Sequence, residues 1–167
     1  MNSLHALVLL LMPSMAMGTE LSLRACLQSS GGIYDEAECR ESEVASLWRV
    51  NRSLTAKIAT ELQACTPHMT GYDYRVALHE LRVAATNWSA FIKHDCEITD
   101  ATFGPGTARG LAFDDCLIAH LRTRNNRLQQ LLIELKNTRN QLLQEGRQDI
   151  RQQGDVWVSC KRLAAPR

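Results

Sequence analysis

Several features are scarce or missing in this sequence, and each absence excludes a class of protein. The 167 residues carry 19 Lys and Arg against 18 Asp and Glu, which gives a formal net charge of +1. Without an excess of one sign, the composition carries no electrostatic signal for nucleic acid or for an anionic membrane surface. No apolar run reaches the roughly 20 residues that a membrane-spanning helix needs. The sequence therefore predicts neither a nucleic-acid partner nor stable insertion into a membrane.

Catalytic and metal-binding motifs are also missing. The chain has no Gly-x-Ser-x-Gly elbow, no phosphate-binding glycine loop and no His-Glu-x-x-His helix. Zinc sites commonly use pairs of cysteines only a few residues apart, and no two cysteines here are that close. Asp114 and Asp115 are adjacent, so on a helix they would not face each other and would make a poor acid–base pair. We expect no enzyme activity, no metal and no cofactor.

A short apolar segment opens the chain. Residues 6–12 are apolar, residues 15–17 continue the run, and polar residues begin at Glu20. This length is typical of the core of a secretory signal peptide, and small residues precede a cleavage point after Gly18. We therefore expect a signal peptide over residues 1–18 and export to the periplasm or the exterior, although no Lys or Arg precedes the apolar run.

What the chain does contain is an even number of cysteines. Behind a signal peptide, an even count indicates disulfides formed in an oxidising compartment. The sequence alone does not choose among the many ways of pairing six of them. They are Cys26, Cys39, Cys65, Cys96, Cys116 and Cys160.

Helical periodicity dominates the first half of the expected mature chain. Residues 19–34 look irregular, but from Val44 to Leu62 apolar residues recur every three or four positions, with Asn51 on the same face. We interpret Asn51 as a buried amide that fixes helix register, in preference to a ligand-binding residue. Strand-like alternation is limited to the short segment Val156–Val158.

Two further helical patterns follow. A nearly continuous apolar stripe runs from Tyr74 to Ile92 and ends near Cys96. The next pattern begins near Asp114 and indicates either a long helix packed along its length or a short coiled coil. It repeats a leucine every seven residues, at Leu121, Leu128, Leu135 and Leu142. These patterns predict an all-α fold, an antiparallel bundle of three to four helices stapled by disulfides, within residues 19–135.

Two segments stand apart from the helical patterns. Between Cys96 and Cys116 the turn residues Gly104-Pro105-Gly106-Thr107 predict a loop of about seventeen residues, a length that is usually functional. From residue 136 the composition becomes rich in Gln and Arg, which indicates a C-terminal extension over residues 136–167. Trp157 and Cys160 suggest that this extension folds back on the domain.

Two groups of side chains admit a functional interpretation beside a structural one. An acidic cluster is either the first turns of a helix, favoured by the helix dipole, or a patch for a basic partner; we favour the first interpretation. Trp88 lies on an apolar stripe and is expected in the core, whereas Trp48 lies beside its stripe and is a candidate platform for a sugar. The acidic residues are Asp35, Glu36, Glu38, Glu41 and Glu43.

Cys26, Cys39, Cys96 and Cys116, with Trp88 between the second and the third, lie within the region from Cys26 to about Leu132. With these spacings the region resembles the lysozyme-inhibitor LprI-like N-terminal domain, a family of small bacterial envelope proteins. The resemblance depends on the spacing of the cysteines and of one tryptophan, and it covers about two thirds of the chain. It departs in having Gly-Pro-Gly-Thr at residues 104–107 and in the tail after residue 136. The matching residues are Cys26, Cys39, Leu47, Asn51, Leu54, Ala85, Trp88, Asp95, Cys96, the Gly104–Gly110 segment, Cys116, Leu121 and Arg124.

The resemblance implies an antiparallel bundle of three or four helices in the periplasm, with disulfides Cys26–Cys39 and Cys96–Cys116. Cys65 and Cys160 are additional to the family pattern and are left as the remaining pair. The family name also implies inhibition of a lysozyme, so a protein partner is expected.

Three functional hypotheses follow from the sequence. The first is stoichiometric occlusion of a lysozyme-like partner by the loop residues Thr102, Phe103 and Arg109, with the arginine pairing with carboxylates of the partner. The second is a structural or assembly factor, or a homodimer, that uses the leucine-rich last helix. The third is a binder of glycans or cell-wall fragments that uses Trp48.

Overall fold

The computed structural model describes residues 15–64, 74–103 and 108–149. Within these ranges, the side chains of residues 15–21, 108–109, 142 and 145–149 lie outside the description. The described residues form helices α1 (Met15–Ser29), α2 (Ile33–Ala64), α3 (Tyr74–Thr102) and α4 (Ala108–Asp149). No strand occurs among them, so the predicted all-α bundle is confirmed.

Consecutive helices run antiparallel, which leaves α2 and α4 parallel to each other. Arg40 of α2 contacts Asp115 at the start of α4, and Glu61 near the end of α2 contacts Arg139 far along α4. In contrast, α3 is antiparallel to α4. Asp95 of α3 contacts His120, and the earlier residue Trp88 contacts the later residue Arg124. α2, α3 and α4 pack on one another as a three-helix bundle, and α1 packs on α2.

The start of α2 shows how local residues set a helix boundary. Gly31 and Gly32 separate α1 from α2, and the Gly31 amide donates to the Asp35 carboxylate at 2.8 Å. Asp35 and Glu36 occupy the first turn of α2, where the helix dipole favours negative charge. For these two residues the structural interpretation of the acidic cluster is confirmed.

Two apolar clusters form the core, and a pair of amides separates them. The first contains Leu47 of α2 with Ile118 and Leu121 of α4; the second contains Leu54, Ile58, Leu62, Leu128 and Leu132. Between them the Asn51 amide donates to the Asn125 side-chain oxygen at 2.8 Å, and the Asn125 amide donates to the Leu47 carbonyl at 3.0 Å. Asn51 is therefore the buried, hydrogen-bonded amide that its position predicts.

Ion pairs between α2 and α4 reinforce the parallel register on either side of these amides. The Glu43 carboxylate is 3% exposed and accepts from Arg122 at 3.0 Å. Glu61 is 8% exposed and lies 2.6 Å from Arg139. Because a buried carboxylate is costly without a partner, each pair favours one alignment of the two helices over its neighbours.

Several sequence predictions about boundaries are wrong in detail. Residues 19–29, predicted as irregular, belong to helix α1. α3 continues to Thr102 and α4 begins at Ala108, so the predicted seventeen-residue loop consists largely of helix ends. The change of composition at residue 136 lies within α4, which continues to Asp149, and the separate extension over residues 136–167 stays a prediction.

Other predictions fall on residues that are not described. These are residues 1–14 of the expected signal peptide, Cys65, and residues 150–167, which include Val156–Val158, Trp157 and Cys160. The pairing of Cys65 with Cys160 therefore stays a prediction. Within the described part of the chain, no helix has an apolar stretch long enough to cross a membrane.

Candidate functional site

The connection between α1 and α2 and the connection between α3 and α4 lie at the same end of the bundle. We call this end the hairpin end, and it comprises residues 26–41 and 95–116. Each connection is tied by a disulfide close to its turn. Cys26–Cys39 joins α1 to α2 and Cys96–Cys116 joins α3 to α4, with Cα–Cα separations of 5.8 and 5.5 Å. Both pairings are those that the family resemblance implies.

The α3–α4 connection carries the residues that the sequence singles out for partner binding. The Thr102 hydroxyl donates to the Thr99 carbonyl at 2.7 Å, and the Phe103 amide donates to the Asp100 carbonyl at 3.2 Å. These bonds close the last turn of α3, after which the Phe103 side chain projects with 61% of its surface exposed. Arg109 lies in the first turn of α4, and its side chain is outside the described part of the structure.

The connection itself is much shorter than the loop predicted from sequence. Only residues 103–107 separate the two helices. The helix continues through residues 97–102, where the hydroxyls of Thr99 and Thr102 donate to carbonyls of their own helix at 3.3 and 2.7 Å. The glycines and proline at 104–106 confine the break to the centre. The result is a helical hairpin held by Cys96–Cys116 near its tip.

Acidic side chains converge on the same end. Asp114 of α4 lies beside Glu41 of α2, and burial, Glu41 and the neighbouring Asp115 together raise the pKa of the Asp114 carboxyl. Arg40 contacts Asp115 at 2.8 Å and Glu36 at 3.3 Å. The fold therefore extends the acidic first turns of α2 onto α4. The sequence gives no sign of this juxtaposition, because Asp114 and Glu41 are far apart along the chain.

A groove lies between α3 and α4, and its lining combines apolar surface with two arginines. It is lined by Trp88, Cys116, His120, Thr123, Arg124 and Arg127, among others. The Arg124 guanidinium stacks 4.4 Å from the centre of the Trp88 ring. Burial lowers the pKa of the Arg124 guanidinium, and repulsion from Arg127 lowers it further by a smaller amount.

The rings of Trp48 and Trp88 pack against other side chains and are not open platforms for a sugar. Trp48 and Trp88 are both half-buried and meet edge to face with their ring centres 5.8 Å apart. Both pack against the apolar cluster around Leu47, and Arg124 stacks against Trp88. The core interpretation of Trp88 fits this packing, and Trp48 shares that core.

One set of side chains has the composition of a metal site. The ligand atoms of Cys96, Cys116 and His120 lie within 4.8 Å of one another, and His120 Nε2 is 2.7 Å from an Asp95 carboxylate oxygen. The two sulfurs are joined as a disulfide, whereas a metal requires free thiolates. The Asp95–His120 contact instead links α3 to α4 beside the disulfide.

The predicted leucine repeat of α4 faces the interior. Leu121 and Leu128 are buried, and Leu135 packs against the second cluster. The side chain of Leu142 lies outside the description. The described leucines of the repeat thus belong to the core of the bundle.

Among known proteins, no family model, curated protein or solved structure matches this chain.

Proposed function

We propose that the protein is an exported protein-binding module of the lysozyme-inhibitor type that acts by stoichiometric occlusion through its hairpin end. The single observation that carries this proposal is the exposed Phe103 at the tip of a disulfide-tied helical hairpin. An aromatic ring that is 61% exposed is suited to act as an anchor in a pocket of a partner.

Rigidity of the hairpin supports this role. Binding costs less when the binding residues are already ordered, and a disulfide near the tip restricts how far α3 and α4 can separate. Thr102 and Phe103 lie within seven residues of Cys96, in the last turn of α3 and directly after it. Arg109 follows in the first turn of α4, and an arginine at this place can pair with the carboxylates that glycoside hydrolases use in catalysis.

Charge at the hairpin end favours a basic partner. The whole chain is nearly neutral, but Glu38 and Glu41 are exposed at this end, close to Asp114 and to Asp115, which pairs with Arg40. Complementary charge accelerates encounter and selects partners, and vertebrate-type lysozymes are strongly basic. For Glu38 and Glu41, which lie beyond the first turn of α2, the interpretation as a patch for a basic partner thus gains support from the contact between the starts of α2 and α4.

Export is the second part of the proposal. Two disulfides are present among the described residues, as is usual in proteins of oxidising compartments. A signal peptide over residues 1–18 would deliver the chain to the periplasm or the exterior. The proposed function uses no enzyme chemistry, cofactor, metal or nucleic acid.

The test is a turbidity assay in which the oxidised protein is titrated against several classes of lysozyme acting on bacterial cell walls. We expect saturable inhibition near one-to-one that is lost after reduction. Phe103→Ala and Arg109→Ala should each weaken inhibition at least about tenfold. Ile133→Ala, which truncates a 45% exposed apolar residue on α4 beyond the hairpin end, is the matched control and should inhibit like the wild type.

Two outcomes would reject the proposal. If the protein inhibits none of the lysozyme classes, the lysozyme-inhibitor assignment is rejected, whereas the description of the fold is unaffected. Inhibition that survives both tip substitutions would show that another surface binds the enzyme.

A further inference from the structure

The outer face of α3 carries a second apolar stripe, separate from the one that packs into the core. Four of its side chains are large, apolar and exposed: Val76 by 54%, Val83 by 38%, Phe91 by 58% and Ile98 by 66%. At about 100° per residue they fall within one sector of roughly 80° on the helix. The buried Ile92 and Cys96 of the same helix face the other way.

The polar residues between these four complete a regular row. Glu80, Asn87 and His94 are exposed and occupy the same sector. The row therefore reads Val76, Glu80, Val83, Asn87, Phe91, His94 and Ile98. Its steps of three and four residues average about 3.7 residues per turn, so the row runs nearly straight along the helix for about 33 Å.

The spacing of this row is symmetric about its centre at Asn87, and this symmetry indicates that the row can pack against a second copy of itself. If a second α3 lies antiparallel with Asn87 opposite Asn87, then Val76 meets Ile98 and Val83 meets Phe91. In the same alignment Glu80 meets His94. Each pairing occurs twice, as the two-fold symmetry of an isologous dimer requires.

We propose that the protein forms an antiparallel homodimer through the outer face of α3, with the two-fold axis at Asn87. Apolar residues then pack on apolar residues along the row, and the Asn87 amides meet as the polar pair that fixes the register. Ala84 and Ala90 flank the axis symmetrically, and both are exposed and small enough to let the two helices approach closely.

Charge complementarity supports this alignment over a parallel one. Glu80 makes no ion pair within the described part of the chain, and His94 is 76% exposed with one contact, to Glu97 at 3.0 Å. In the antiparallel dimer the Glu80 carboxylate accepts a hydrogen bond from the partner's imidazole at two symmetric places. A parallel pair in register would instead set Glu80 against Glu80.

The interface differs from the one that the leucine repeat suggests. The described leucines of α4 are occupied inside the bundle, whereas the row on α3 faces away from the buried Ile92 and Cys96. Phe91, at the edge of the row, also meets His120 of α4 edge to face, with ring centres 6.1 Å apart. A single helix pair buries less than the roughly 800 Å² per partner of a standard interface. The dimer should therefore dissociate on dilution, with a dissociation constant on the order of 10 µM.

Sedimentation velocity of the oxidised protein, from about 1 to about 500 µM, tests the proposal. We expect a reversible shift from monomer to dimer. Phe91→Asp should weaken the dimer at least about tenfold, because it buries a charge beside the axis. Val50→Asp, at a 38% exposed valine of α2, is the matched control and should leave association unchanged.

A charge exchange tests the register. His94→Glu sets a new carboxylate opposite Glu80 and should abolish association, and the double variant Glu80→Lys/His94→Glu should restore it. Far-UV circular dichroism verifies that each variant keeps the wild-type helix content. A wild type that stays monomeric at the highest concentration overturns the proposal. The proposal is also overturned if Phe91→Asp leaves the dissociation constant of the dimer unchanged, or if the double variant does not associate.

Discussion

Replacing Asn51 by leucine should destabilise the protein, because the buried Asn125 amide would lose its side-chain partner. The two residues are 5% and 6% exposed, and their amides are joined at 2.8 Å. Loss of the bond together with an unsatisfied buried oxygen costs about 1–3 kcal/mol. Asn125→Leu should cost a similar amount, because it leaves the Asn51 amide nitrogen without an acceptor.

The double variant separates this explanation from a general loss of packing. With both amides replaced by leucine, no polar group remains unsatisfied, and the apolar clusters above and below would merge. The double variant should therefore be more stable than the sum of the single costs predicts, with a coupling energy of at least about 1 kcal/mol.

Urea unfolding followed by circular dichroism, with the disulfides intact, measures these energies. Asn126→Leu changes the exposed neighbouring residue and should shift the free energy of unfolding by less than about 0.5 kcal/mol. Single variants as stable as the wild type, or strictly additive effects, would show that the hydrogen bond between the amides does not matter for stability.

Three further predictions concern the packing and the charges. Replacing Cys96 and Cys116 by serine should lower the free energy of unfolding by about 3 kcal/mol, as the chain-entropy model gives for a bridge spanning 20 residues, and reduction of the wild type, which also opens Cys26–Cys39, should lower it further. Ile58→Ala, at a fully buried residue, should cost about 2–5 kcal/mol in urea unfolding, while Ile133→Ala, at a 45% exposed one, should cost far less. Because the folded state raises the pKa of Asp114, its ionisation opposes folding as the pH rises through that pKa, so Asp114→Asn should be more stable than the wild type at neutral pH. This advantage should vanish below about pH 4, and a melting temperature difference that grows on acidification would contradict the assigned cause.

The sequence predicted most of the bundle because its strongest signals are local. Apolar periodicity located α3 to within two turns at its ends, and it located α2 except for about the first three turns, which precede Val44. The leucine repeat located α4. The sequence also identified Asn51 as a buried amide, since a single polar residue on an otherwise apolar face is costly without a partner.

Helix α1 was missed for a physical reason. The part of α1 that follows the expected cleavage point, residues 19–29, spans only about three turns, which is too short to establish a helical period. Tertiary contacts hold the helix, because Leu23 packs on the first core cluster and Cys26 bonds to Cys39 of α2. Periodicity also assigned Phe91 to the core stripe of α3, although it is largely exposed. A single sequence cannot separate two apolar stripes on one helix without knowing where the neighbouring helices lie.

At the candidate site, too, features set by neighbouring residues could be predicted from the sequence, whereas contacts between residues far apart in the chain could not. Phe103 could be singled out from turn residues next to it, and the structure shows its ring exposed. The pairing of Glu43 with Arg122, 79 residues away, could not be predicted, because it depends on α2 and α4 lying parallel. The acidic hairpin end is a product of the same parallel arrangement.

The pair Arg124 and Arg127 tests whether like charge limits stability in the groove between α3 and α4. Arg124 stacks on Trp88 while Arg127 lies one turn further along the same face, and together with burial it lowers the pKa of Arg124. Arg127→Gln should therefore stabilise the protein by about 0.2–0.5 kcal/mol at low salt, and the gain should shrink as added salt screens the repulsion. Arg52→Gln, at an exposed arginine of α2, is the control and should show no such gain. If Arg127→Gln lowers the free energy of unfolding, or if its effect does not depend on salt, then Arg127 stabilises the groove by packing more than it destabilises the groove by repulsion.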